Sequence, residues 1–107
     1  KIPIRIETLD SACKRLGIFP DFLKIDVEGF EFEVLKGAKK LLSDHNPLIF
    51  FEWHRGYLKQ RNLNPMAVIE ILDGFGYQFT TFTQRPLRKF VLGLSPLSVV
   101  RFIARKG

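Results

Sequence analysis

The sequence has few of the residues that would mark a disulfide-bonded or zinc-binding protein. Cys13 is its only cysteine, so an intramolecular disulfide and a zinc site built from several cysteines are both excluded. A single thiol suits a reducing compartment, and we expect a cytoplasmic protein. Cys13 lies in the helix-like run SACKRLG, where we interpret it as a small buried residue rather than a catalytic thiolate.

The sequence also lacks long apolar runs. None approaches the roughly 20 residues that a membrane-spanning helix needs, and no signal peptide stands at the start of the printed chain. The first residue is Lys1 rather than methionine, which suggests a fragment or a processed chain. With 107 residues, of which 46% are hydrophobic, the chain is expected to form one small domain or part of one.

Basic residues outnumber acidic ones, and the formal net charge is +6. Such an excess can indicate an acidic partner such as nucleic acid. Here the basic residues are scattered along the chain in short groups, and no basic run is interleaved with aromatic residues. We therefore interpret the charge as a solvated surface and expect no nucleic-acid partner.

Hydrophobic patterning predicts strands that alternate with helices. A weak first strand covers the alternating isoleucines of IPIRIETL, and the later predicted strands are Phe22–Val27, Leu48–Phe51, Tyr77–Thr83 and Val99–Ala104. The predicted helices are one capped by Asp10 or Ser11 that stops at Gly17, one with an apolar stripe from Phe32 to Leu42, and one that starts at Asn64-Pro65.

This alternation indicates an α/β fold with parallel central strands. The segment from Arg85 to Pro96 is predicted to be mostly irregular, so the last two strands are expected to form an antiparallel pair. The continuous apolar run Leu48–Phe51 predicts a strand that is buried on both faces. Glu31 and Glu33 stand near the start of the second helix, where negative charge complements the helix dipole.

Acidic residues follow two of the predicted strands. Asp26 and Glu28 come after the run FLKI, and Glu52 and His54 come after IFF. Positions two apart in an extended segment point to the same side. Ligands of open α/β sheets bind beyond the carboxyl ends of the strands. If the two strands are parallel neighbours, these four side chains are expected to converge on one crevice.

Acids at such a crevice have several chemical uses. They can hold a cationic group such as a sulfonium, bind a divalent cation through oxygen, or take a proton from a hydroxyl nucleophile. Acids after strands also cap helices, so function is favoured for Asp26 and left open for Glu28 and Glu52. We interpret His54 as a surface residue or a support for others rather than a catalytic group, and Trp53 as a packing residue.

One long segment resembles a known family. From Glu7 to Leu42 the chain reads ETLDSACKRLGIFPDFLKIDVEGFEFEVLKGAKKLL, which is similar to the FkbM-type S-adenosylmethionine-dependent methyltransferases. The core LKIDVEGFE, Leu23–Glu31, is the most distinctive part of that signature. The strand from Pro47 to Glu52 and the pair Gly76-Tyr77 also fit, so the resemblance covers nearly the whole chain.

The resemblance implies a class I, Rossmann-like methyltransferase sheet of seven strands. By that likeness Phe22–Asp26 is the fourth strand and Leu48–Glu52 the fifth. Tyr77–Thr83 is the sixth, and Val99–Ala104 is the seventh, inserted antiparallel. The chain would then be the carboxyl-terminal half of the catalytic domain.

The resemblance also implies a reaction. Members of the family use S-adenosylmethionine and typically methylate a hydroxyl oxygen of a sugar, lipid or natural product. Asp26 matches the acidic position beside the methyl donor, where it would orient the donor or acceptor or help to bind a divalent metal. Glu28 and Glu52 lie in matching motifs close to the site. We therefore take Asp26, Glu28 and Glu52 as candidate catalytic residues and Asp26 as the candidate cofactor contact; the metal ligands stay open.

One departure from the family opens a second hypothesis. The chain contains no Asp-x-Gly-x-x-x-Gly motif and no acid placed to hold the donor ribose. The strand Leu23–Val27 would then present an unpaired edge, through which an oligomer or another chain can pair. The alternative to an enzyme is therefore a non-catalytic, partner-binding module derived from a methyltransferase fold.

Overall fold

A mixed five-stranded sheet organises the part of the chain that the computed structural model describes, residues 6–107. The strands are β1 Phe22–Ile25, β2 Leu48–His54, β3 Tyr77–Thr80, β4 Pro86–Leu87 and β5 Val99–Lys106. The helices are α1 Leu9–Leu16, α2 Glu31–Lys36, α3 Lys39–Asp44, α4 Arg55–Gln60, α5 Met66–Gly74 and α6 Lys89–Leu94.

The strand order in the sheet is β1-β2-β5-β3-β4. β1 and β2 are parallel, while β5 runs antiparallel to both of its neighbours, β2 and β3. The α/β class, the parallel pairing of the first two strands and the antiparallel pairing of β3 with β5 are confirmed. The expectation of parallel central strands holds only in part, because the middle strand is the antiparallel β5.

The core lies mainly on one face of the sheet. From Leu48 to Trp53, half-buried residues alternate with fully buried ones, so Ile49, Phe51 and Trp53 face the core. The opposite face carries Phe50 and Glu52, which are only half-buried. The prediction that this strand is buried on both faces is therefore wrong. The packing role of Trp53 is confirmed, and its indole N–H donates to a backbone carbonyl at 3.0 Å.

Helix α1 is capped by a residue other than the two predicted. Thr8 is the cap, and its side-chain oxygen accepts a hydrogen bond from the backbone N–H of Ser11 at 3.0 Å. The carboxylate of Asp10 instead accepts from two backbone N–H groups at the start of α3, each at 2.9 Å. Gly17 ends α1 as predicted, in the left-handed conformation. Cys13 is buried in this helix, as expected.

The single helix predicted over residues 32–42 is divided into α2 and α3. The break falls at Gly37, where the start of α1 packs against the backbone. A Cβ added to Gly37 would lie 2.9 Å from the Cβ of Thr8, and the Gly37 carbonyl accepts from the N–H of Asp10 at 2.8 Å. Contact with α1 therefore interrupts a segment whose apolar periodicity alone favours one continuous helix.

The segment predicted to be irregular contains two elements. Both β4 and α6 lie between Arg85 and Pro96, and that prediction is wrong. Only Leu92 of α6 is buried, while Phe90 and Leu94 are exposed, so the helix has no clear apolar stripe. Helix α4 was not predicted either. At the other end of the chain, residues 2–5 of the predicted first strand lie outside the described residues, and the remainder, residues 6–9, forms no strand because α1 begins at Leu9.

The edge expected for the strand Leu23–Val27 is present, since β1 is the first strand in the order of the described sheet. The strand itself ends at Ile25, two residues earlier than predicted. Within residues 6–107, no helix combines the length and the apolar character that crossing a membrane requires.

Tyr77 links the core to the loop before β2 and provides a test of this packing. Its side chain is 1% exposed, and its hydroxyl donates to the carbonyl of Pro47 at 2.8 Å. Burial raises the pKa of Tyr77 from 10.0 to about 12. The neutral phenol is therefore favoured in the folded chain. The stability linked to it is fully present below pH 10.0 and is lost as the pH rises towards 12.

We expect Tyr77→Phe to lower the free energy of unfolding at neutral pH by about 1–2 kcal/mol, because the buried Pro47 carbonyl loses its donor. The variant should also lose less stability than the wild type between neutral pH and about pH 11. Urea unfolding at the two pH values measures both effects. Tyr57, which is 47% exposed, provides the matched control Tyr57→Phe. Equal changes in the free energy of unfolding for Tyr77→Phe and Tyr57→Phe at both pH values would contradict the prediction.

Candidate functional site

The carboxyl ends of β1 and β2 bring three predicted residues together. The register pairs Ile25 with Phe51, so the next position along sets Asp26 beside Glu52. His54 lies two residues further along β2 and therefore on the same face of the sheet as Glu52. The expectation that these side chains converge at one sheet edge is confirmed for Asp26, Glu52 and His54.

The three side chains form a compact group. His54 Nε2 lies 3.5 Å from Asp26 Oδ1 and 3.5 Å from Glu52 Oε1. One ligand atom from each residue lies within 4.8 Å of the other two. The His54 side chain is 6% exposed, whereas that of Asp26 is 42% exposed. The group is therefore closed on the histidine side and open to solvent at Asp26.

Glu31 supports this group from the interior. It is fully buried, and its two carboxylate oxygens accept hydrogen bonds from the backbone N–H groups of Gly29 and His54, each at 2.7 Å. The same carboxylate lies 3.8 Å from His54 Nδ1, a buried nitrogen that has no hydrogen-bond partner among residues 6–107. Glu31 thus joins the loop after β1 to the end of β2 and faces the rear of the imidazole.

The loop after β1 makes a sharp turn at Glu28 and Gly29. Both residues have positive φ angles, 48° and 99°. A Cβ on Gly29 would lie 2.7 Å from the Cβ of Tyr57 on α4, so the loop backbone lies directly against that helix. The side chain of Glu28 is exposed and does not belong to the three-residue group. Its catalytic role stays a prediction.

Two arginines border the site. Arg61 donates to the Gly29 carbonyl and, at 3.0 and 2.9 Å, to the carboxylate of Glu33, and its guanidinium lies 4.2 Å from the centre of the Phe30 ring. These hydrogen bonds hold the pKa of the Glu33 carboxyl below its usual range. On the other side, Arg101 contacts Glu52 at 3.1 Å. Arg61 therefore fixes the loop, while Arg101 balances charge in the site.

A small cleft adjoins Glu52 on the same face of the sheet. Its volume is about 210 Å³, and its walls include Phe50, Phe82 and Arg101. The rings of Phe50 and Phe82 lie 5.5 Å apart, centre to centre. The cleft therefore offers apolar ring surfaces next to a carboxylate.

Two features of the site were missed or misjudged from sequence. Glu31 was assigned to the helix dipole, yet it occupies the buried stripe of its segment, four and seven positions before Leu35 and Ala38, which are also buried. A charge at a core position is a signal that could have identified it. His54 was interpreted as a surface or supporting residue. The surface interpretation is wrong, because His54 is 5% exposed and faces both carboxylates.

Comparison with known families agrees with this arrangement. The family model described as "Methyltransferase FkbM domain" matches residues 1–79, about three quarters of the chain. The chain belongs to the FkbM methyltransferase family. The resemblance drawn from the sequence is confirmed, and in this FkbM family member all of the site residues from Asp26 to His54 lie within the matched segment. Neither the curated proteins nor the solved structures contain a match to the chain.

Proposed function

We propose that this chain is part of an S-adenosylmethionine-dependent methyltransferase that methylates a hydroxyl oxygen of a sugar, lipid or natural product. The observation that carries the proposal is the meeting of Asp26, Glu52 and His54 at the carboxyl ends of two adjacent parallel strands. In open α/β sheets this edge is where ligands bind. The family match supports an enzyme over the alternative of a non-catalytic binding module.

We assign the described strands to the carboxyl-terminal half of a seven-stranded class I sheet. In this assignment β1, β2, β3 and β5 are the fourth, fifth, sixth and seventh strands. The order β1-β2-β5-β3, with β5 antiparallel to both neighbours, supports it. The remaining strands of such a sheet would continue from the free edge of β1.

The residues of this chain do not form a complete binding site for the methyl donor. Binding of a nucleoside-linked donor calls for a glycine-rich turn after a strand and an acid for the ribose hydroxyls. The printed sequence has no Asp-x-Gly-x-x-x-Gly motif. The carboxylates of the site suit a cationic neighbour but do not form such a cradle. We therefore assign to this chain the acceptor side of the reaction and derive no step through the donor.

On the acceptor side, Asp26 is the group best placed to meet a hydroxyl. Its carboxylate is the most exposed of the group, so an incoming hydroxyl can donate a hydrogen bond to it. That contact orients the oxygen and draws its proton away, which makes the oxygen a better nucleophile. Glu52 forms the far wall beside the aromatic cleft. Glu28, exposed on the adjacent turn, is a further candidate for contact with the acceptor.

We expect Asp26→Asn in the complete protein to lower turnover by about 100-fold, because the amide cannot accept the hydroxyl proton. Transfer of a labelled methyl group to a panel of sugar, lipid and phenolic hydroxyls measures the effect. Circular dichroism checks that the fold persists, as a half-exposed position should allow. Asp44→Asn is the control, since Asp44 is an exposed carboxylate at the end of α3. Unchanged turnover in Asp26→Asn would reject this role.

A further inference from the structure

We propose that Asp26, Glu52 and His54 bind one divalent transition-metal ion. The geometry already approaches that of a coordination shell. When each metal–ligand bond is about 2.1 Å long, neighbouring ligand atoms lie about 3–4 Å apart. His54 Nε2 lies 3.5 Å from an oxygen of each carboxylate, and the whole set is contained within 4.8 Å. Small side-chain rotations of the two carboxylates are enough to close the shell.

The buried side of His54 provides a second, independent observation. Histidine ligands almost always donate their other ring N–H to a carboxylate, a backbone carbonyl or a water molecule, which fixes the tautomer and the orientation of the ring. His54 Nδ1 is buried without a hydrogen-bond partner in the described chain, and the nearest carboxylate is that of Glu31, at 3.8 Å. A slight approach of the two groups makes this hydrogen bond. Nε2 is then left as an acceptor that faces Asp26 and Glu52.

The ligand set indicates the class of metal. Mg²⁺ and Ca²⁺ prefer oxygen ligands throughout, whereas imidazole together with carboxylate suits Mn²⁺, Fe²⁺ and Zn²⁺. Three protein ligands leave at least one coordination position open, as in catalytic metal sites. Because Asp26 is the exposed member, that position faces solvent. Its use in holding an acceptor oxygen rests on the proposed function; the binding of the ion does not.

Two competing arrangements must be displaced when the ion binds. A protonated His54 can form ion pairs with both carboxylates, and Arg101 contacts the same Glu52 oxygen at 3.1 Å. Arg101 is 60% exposed, so it can swing into solvent. Replacement of Arg101 should therefore strengthen metal binding, because a competing cation is lost, whereas replacement of a metal ligand should weaken it.

The test is a calorimetric titration of the chelator-treated full chain with MnCl₂ and, separately, ZnCl₂ at neutral pH. We expect saturable binding of one ion. Asp26→Asn should weaken it at least tenfold, since a ligand is lost. Arg101→Gln should strengthen it severalfold by removing a neighbouring positive charge. Asp44→Asn, which changes the charge equally but away from the site, should leave the affinity unchanged.

The absence of saturable binding with both ions would overturn the proposal, as would equal affinities for Asp26→Asn and Asp44→Asn. Because heat is measured without methyl donor or acceptor, the result is independent of the proposed reaction. Metal binding without any methyl transfer would count against the proposed function alone. Methyl transfer that survives chelation, in a protein that binds neither ion, would count against the metal site alone.

Discussion

Replacing Glu31 with alanine is expected to lower the free energy of unfolding by about 4 kcal/mol, a large share of the stability of a small domain. The carboxylate is fully buried and accepts hydrogen bonds from the backbone N–H groups of Gly29 and His54, each at 2.7 Å. Alanine leaves both donors buried without acceptors and also leaves a cavity. Each unsatisfied donor costs about 1–3 kcal/mol.

Glu31→Gln separates charge from shape. The amide keeps the size of the side chain and one acceptor oxygen, but it places an NH₂ group against the second backbone N–H. We expect a loss of about 2–3 kcal/mol, smaller than that of Glu31→Ala, because one of the two hydrogen bonds persists, although its acceptor is now a neutral amide oxygen. In the metal titration the same variant should bind Mn²⁺ about 10–100-fold more weakly, provided that it is folded.

Glu33→Ala is the matched control for Glu31. It removes a carboxylate from the same helix, but Glu33 is 46% exposed and its ion pair with Arg61 lies at the surface. Such pairs contribute about 0–1 kcal/mol. Urea unfolding followed by circular dichroism compares the variants. If Glu31→Ala and Glu33→Ala lose similar amounts of stability, Glu31 does not join the β1 loop to β2 as the structure indicates.

Local pattern was sufficient for most of the strands and for some of the helices, because their apolar residues are the ones that become buried. The run around Ile49 and Phe51 is an example, since both residues face the core. Helix α6 is an exception. Phe90 is 76% exposed and Leu94 67% exposed, so the apolar residues of this helix do not mark a buried face. No periodicity in the sequence could have identified it.

The site shows a similar division. Convergence of Asp26 with Glu52 follows from two strands that end in acids, a feature visible in the sequence. Burial of His54 does not follow, because it depends on the extension of β2 beyond Phe51. That extension is stabilised by β5, whose Val99 pairs with His54. These partners are 45 positions apart in the sequence and are brought together only by the fold as a whole. The residues that neighbour His54 in the sequence therefore do not predict the pairing.

Gly29→Ala is the second substitution with a large expected effect, a loss of about 4 kcal/mol. Two independent costs contribute. At a φ of 99° an L-residue is strained, which costs about 1–3 kcal/mol. The added methyl group would also lie 2.7 Å from the Cβ of Tyr57. Since a Cβ is attached directly to the backbone, it cannot rotate away, and relief of the overlap costs about 1–3 kcal/mol more.

Two other glycines separate these costs. Gly76 has a φ of 89°, but nothing lies within 4 Å of an added Cβ, so Gly76→Ala should show the strain alone, about 1–2 kcal/mol. Gly74 is the last residue of α5 and has open space as well. Gly74→Ala should be neutral or stabilising by about 0.5 kcal/mol. Urea unfolding of the three variants gives the overlap energy as the difference between Gly29→Ala and Gly76→Ala.

The difference in stability loss between Gly29→Ala and Gly76→Ala also indicates how firmly the turn beside the site is held. Gly29 donates its N–H to Glu31, and its carbonyl accepts from Arg61. Together with the close approach to Tyr57, these contacts hold the turn that follows Asp26. A backbone displaced by a methyl group should move Asp26 away from His54. We therefore expect Gly29→Ala to weaken Mn²⁺ binding, whereas Gly76→Ala should not. Equal losses of stability in these two variants would mean that the loop can yield, and that packing against α4 does not position Asp26.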